Sequence, residues 1–70
     1  MGSEFPQRLK KLRERRGMKQ KTLGELCGVS KNQIGRFERG ERVPNIDVAR
    51  DLANIFGVSM DYLCGNEKNF

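Results

Sequence analysis

The chain has 70 residues, with 14 Lys and Arg against 9 Asp and Glu, a net charge of +5, and it is short enough to form a single domain. It has no histidine and two cysteines without a Cys-x-x-Cys pair, which excludes a zinc site and removes the commonest general base. No apolar run approaches the roughly 20 residues that span a bilayer, and no signal-peptide core is visible.

At the start, Met1-Gly2-Ser3-Glu4-Phe5 contains the Gly-Ser and Glu-Phe dipeptides that in-frame cloning sites encode. Residues 1–4 are therefore set apart as a cloning scar, the folded domain is expected over 5–64, and 65–70 are read as a tail or the start of a linker. Phe5 lies four residues before Leu9 and can pack at a helix entry whatever its origin.

The first helix is expected from about Pro6 to Arg16. Proline suits a first turn, and Phe5, Leu9 and Leu12 share one face. Gly17 is its stop, with Arg15 and Arg16 complementing the negative helix end. A second helix runs from Gln20 to Cys27, with Leu23, Leu26 and Cys27 inward, and Gly28 ends it. The third spans Lys31 to Arg39, with Ile34 and Phe37 inward, before Gly40. Pro44 opens a fourth helix, about Asn45 to Phe56, whose inward residues are Val48, Ala49, Leu52, Ile55 and Phe56. A last short helix covers Met60 to Cys64. Gly-Val-Ser occurs twice, at 28–30 and 57–59, each time as a helix stop, a packing valine and an N-cap serine. Ser30 with Gln33 has capping-box spacing. The pattern is all-α, a compact cluster of five short helices.

Only residues 28–30 separate the second and third helices, which is helix-turn-helix spacing. Gly24 falls where two helices touch and a side chain would part them. Gly28 falls where the left-handed conformation is needed. The charge is also polarised: residues 1–42 carry 12 basic and 5 acidic side chains (+7), and residues 43–70 carry 2 and 4 (−2). That division suits a face drawn to a polyanion, and equally a solvated basic surface.

In Arg8-Leu9-Lys10, Leu12-Arg13, Gly17, Gln20, Leu23-Gly24, Gly28-Val29-Ser30, Ile34, Phe37-Glu38, Gly40, Pro44, Leu52-Ala53, Gly57-Val58-Ser59, Asp61 and Leu63, the chain from residue 7 to about 64 resembles the helix-turn-helix domain of the phage Cro/repressor family, the xenobiotic-response-element regulators of bacteria. The resemblance implies a five-helix fold whose third helix enters the major groove of double-stranded DNA, with two copies on half-sites roughly 34 Å apart. By position it assigns Lys31, Asn32 and Arg36 to base edges. Helical geometry agrees, since 32, 35, 36 and 39 lie opposite Ile34 and Phe37, and so does chemistry, since Arg suits guanine and Asn suits adenine. Gln20 is assigned to a phosphate at a helix N-terminus. Arg42 and Asn45 match positions of further backbone contacts, and Lys19 and Lys21 are read either as attraction to phosphates or as plain solvated side chains. Gln33 is shared between a phosphate or base and the capping box. Arg13 and Glu38 match an internal salt bridge between the first and third helices.

Two departures stand out. Lys19 sits where the family has a capping Ser or Thr, and Gly35 offers no side chain on the DNA side. Cys27 and Cys64 read as small apolar residues rather than a disulfide, and Met60 and Tyr62 as edge-of-core or dimer contacts. No nucleophile lies beside a base, so no enzyme is indicated, and neither a cofactor nor a metal is implied. The expectation is a transcriptional regulator, a repressor that works by occupancy, homodimeric on its operator in the bacterial cytoplasm at the nucleoid. An antitoxin or other protein-interaction module on the same fold is the alternative. Its mark would be a tail or an apolar patch, and little chain follows the fifth helix.

Overall fold

A computed structural model describes residues 4–65, and the expectations for residues 1–3 and 66–70 lie outside the described residues. Five helices follow in order: α1 (Phe5–Arg15), α2 (Gln20–Cys27), α3 (Lys31–Glu38), α4 (Ile46–Phe56) and α5 (Met60–Cys64). Among the described residues there is no strand, and no helix is long and apolar enough to cross a membrane.

The helix ends follow from local chemistry. Ser30, Asn45 and Ser59 each accept a hydrogen bond from the backbone N–H three residues on, of Gln33, Val48 and Tyr62, which satisfies donors a helix start leaves open. Lys19 makes no such bond at the start of α2. After α3 the chain closes in a Schellman turn. Gly40 takes φ 75°, its N–H donates to the Phe37 carbonyl, and the Glu41 N–H donates to that of Arg36.

Phe5, Leu9, Leu23, Ile34, Leu52 and Leu63 are fully buried, and Cys27, Phe37, Ala53 and Phe56 complete a single core shared by all five helices. Phe5 thus belongs to the fold. Glu4 is the N-cap residue of α1 and pairs with Arg8 at 2.8 Å. Leu26 does not face inward as expected but is 56% exposed. The inner face of α2 is set by Leu23, Gly24 and Cys27, and Leu26 falls about 100° from the centre of that arc at helical spacing. Gly24 does permit a close approach, although the neighbour is the turn itself: a Cβ there would lie 2.5 Å from the Val29 carbonyl oxygen. Cys27 and Cys64 are not joined in a disulfide, and burial pushes the Cys27 thiol up from its usual range.

Arginines of α1 and its C-cap bind the bundle together. Arg8 donates to the Tyr62 carbonyl at 2.7 Å while its guanidinium lies 4.2 Å from the centre of the Tyr62 ring. Arg16 donates to the Ile55 and Phe56 carbonyls at 3.3 and 3.2 Å, at the negative end of α4. Arg13 reaches the Met18 carbonyl at 2.8 Å and Glu38 of α3. Three of the cations counted toward a polyanion-facing surface are therefore internal ties to α5, α4 and α3.

Candidate nucleic-acid interface

The recognition element begins with the burial pattern of α3. Ile34 and Phe37 sit in the core, while Lys31, Asn32 and Arg36 are exposed and make no side-chain hydrogen bond among the described residues. Ser30 fixes the start of this helix and the Gly40 turn fixes its end. Lys31 and Asn32 stand in the first turn, and Arg36 one turn later on the same outward side.

Glu38 anchors α3 from beneath. Its carboxylate accepts both Arg13 Nε at 2.6 Å and Arg13 Nη2 at 3.1 Å, and the side chains are 12% and 4% exposed. The Glu38 hydrogen bond raises the Arg13 pKa above its ordinary value, against the opposing effect of burial. Gln20 Nε2 donates to the same carboxylate at 3.1 Å. The amide at the start of α2 is thus held in a fixed orientation from below. A bidentate pair of this kind sets orientation more than net stability.

The remaining positions divide. Lys19, Lys21 and Arg42 are exposed and make no ion pair among the described residues. Asn45 is exposed but its Oδ1 caps α4, leaving the amide nitrogen outward. Gln33 does not stand on the outer face. Ser30 Oγ accepts its backbone N–H at 3.1 Å, one half of the capping box. Its side chain lines a cleft of about 220 Å3 with Phe37, Arg42 and Val43, and its Oε1 is buried without a hydrogen-bond partner. The side chain turns into this cleft, so the return bond to Ser30 is not formed.

Gly35, expected to face outward, is buried because the Arg39 side chain lies across it. A Cβ at 35 would stand 3.0 Å from Arg39 Nη1 and 3.7 Å from Gln20 Oε1. Arg39 donates to Glu41 through Nε at 2.9 Å and Nη2 at 3.2 Å. This exposed pair raises the arginine and lowers the carboxylate relative to their ordinary pKa values. Helical spacing puts Arg39 on the outward face but gives it no role of its own. The available signal was its i+4 spacing from a glycine, which leaves room for a long side chain to lie flat.

A two-helix unit with an exposed, partly cationic helix held from beneath by a buried ion pair defines a helix-turn-helix protein. The helix-turn-helix family model matches residues 9–63, and the chain belongs to that family, of the Cro/repressor type. It is 36% identical over 61 residues to the HTH-type transcriptional regulator ImmR of Bacillus subtilis, covering 87% of this chain and 48% of the relative. It is also 36% identical over 59 residues to YonR, an SPbeta prophage-derived HTH-type transcriptional regulator of the same organism, covering 84% and 55%. The chain thus spans about half the length of these relatives. Among solved structures it resembles the P22 c2 repressor in complex with a synthetic operator, with TM-score 0.86 and 30% identity over 90% of this chain and 96% of the other. A transcriptional regulator from Listeria innocua superposes with TM-score 0.89 at 27% identity, covering 100% and 65%.

Proposed function

We propose that this chain is the operator-reading domain of a transcriptional repressor. In this reading α3 lies in the major groove of double-stranded DNA, and Lys31, Asn32 and Arg36 read base edges. Gln20, Lys19, Lys21, Arg42 and the Asn45 amide hold phosphates. Gln33 supports the cleft wall beside the Arg42 loop. Two copies would engage half-sites about one helical turn apart, as a twofold-related pair on a near-palindromic site. Repression needs only occupancy of the site, so no catalytic group is required.

The carrying observation is that α3 buries Ile34 and Phe37 and leaves Lys31, Asn32 and Arg36 exposed with no partner among the described residues. Charged and amide groups kept in reach of a groove can exchange water for base edges without first breaking an internal bond. The similarity to a repressor solved on its operator supports the same reading.

Selection of bound sequences from a random duplex pool tests it. The expected result is an enriched near-palindrome, bound with an affinity that falls steeply as salt rises. Uniform recovery of all sequences would contradict the reading.

A further inference from the structure

We propose that Glu41 is an internal anion that occupies Arg39 in the free protein, and that a DNA phosphate takes Arg39 over on binding, making Arg39 a phosphate-contacting residue under the control of Glu41. The inference rests on the DNA-binding reading above.

The turn after α3 brings the two side chains together. The Glu41 N–H donates to the Arg36 carbonyl at 2.9 Å, which folds Glu41 back over the last turn of the recognition helix. From there its carboxylate accepts both Nε and Nη2 of Arg39. That two-point grip on a planar guanidinium is the same one a phosphate makes. Both side chains are more than half exposed, 58% and 54%, so the pair is open to competition and is worth little as a stability element.

Position matters as much as pairing. The guanidinium lies over Gly35, next to Gln20 Oε1, between the outward face of α3 and the start of α2. Gly35 is the floor that lets Arg39 lie flat there. The positive charge of Arg36 adds a smaller effect to that of Arg39 in holding the Glu41 carboxylate ionised. A polyanion approaching this face therefore meets one carboxylate already bound to a cation it would contact, Arg39. Glu38 is the other acidic residue of this region, but it is buried beneath the helix on Arg13. A phosphate that engages Arg39 must displace Glu41 and break the two hydrogen bonds that hold the guanidinium. Glu41 thus acts as a brake on affinity, applied through one arginine.

The test is fluorescence anisotropy of a short mixed-sequence duplex against potassium chloride for four proteins: wild type, Glu41→Gln, Arg39→Ala and the double variant. Circular dichroism checks that each is folded. Glu41→Gln should bind about fivefold tighter near ~0.1 M salt, and Arg39→Ala should make the log–log salt slope shallower by about 0.9, the signature of one lost phosphate contact. In the Arg39→Ala background Glu41→Gln should alter affinity by less than about twofold. A gain that persists without Arg39 would show Glu41 acting by plain repulsion and overturn the inference, as would unchanged or weaker binding by Glu41→Gln. If none of the four binds duplex DNA, the DNA-binding reading itself fails and this inference falls with it.

Discussion

α1 and α3 carry similar side chains to opposite purposes. On α1 and its C-cap, Arg8, Arg13 and Arg16 end on carbonyls or carboxylates of α5, α3 and α4. On α3, Lys31, Asn32 and Arg36 end in solvent. Net charge does not distinguish the two groups. A guanidinium on a helix carbonyl belongs to the fold, and one left without a partner is available to a ligand. The two bidentate Arg–Glu pairs repeat the contrast across α3, since Arg13–Glu38 is buried beneath the helix and Arg39–Glu41 is exposed beyond its end.

The contrast is broken most forcefully at the buried pair. Arg13→Ala leaves Glu38 buried without its partner and should cost about 3–5 kcal/mol of unfolding free energy by urea denaturation. DNA binding should be lost along with the fold. Changes on the other side should separate the two properties. Arg36→Ala or Asn32→Ala should each cost about 1–3 kcal/mol of discrimination at one base position and leave the thermal midpoint within a degree or two of wild type.

Smaller effects sharpen the comparison. Arg16→Ala removes bonds to the end of α4 from a largely exposed side chain and should lower stability by about 1 kcal/mol, with sequence preference unchanged. Lys19→Ser supplies the missing cap of α2 and should raise stability by up to about 1 kcal/mol. Binding should weaken modestly and the salt slope become shallower, because one basic side chain beside the phosphate path is lost.

Much of this was legible in the residues. Helix stops at Gly17, Gly28, Gly40 and Gly57, the serine caps and the inward leucines follow from rules that act within a few positions. The Arg13–Glu38 pair was legible only through resemblance, since no local rule joins residues 25 apart. Three features stayed hidden for the same reason. Leu26 matched a helical stripe, but a two-turn helix has room for only one inner arc, and packing chose Leu23, Gly24 and Cys27. The roles of Arg8 and Arg16 depend on where α4 and α5 end in space. The outward expectation for Gly35 took no account of a neighbour lying over it. The residues allow Gln33 two roles, and its side chain follows a third course, into the cleft.

The most direct test of the division between the two helices is a backbone and guanidinium NMR footprint of the folded chain titrated with its selected duplex. Shifts should concentrate at Lys31, Asn32, Arg36, Arg39 and the start of α2, with the Arg8 and Arg16 guanidinium signals unmoved. Shifts centred on Arg8, Lys11 and Arg15, with α3 silent, would contradict it.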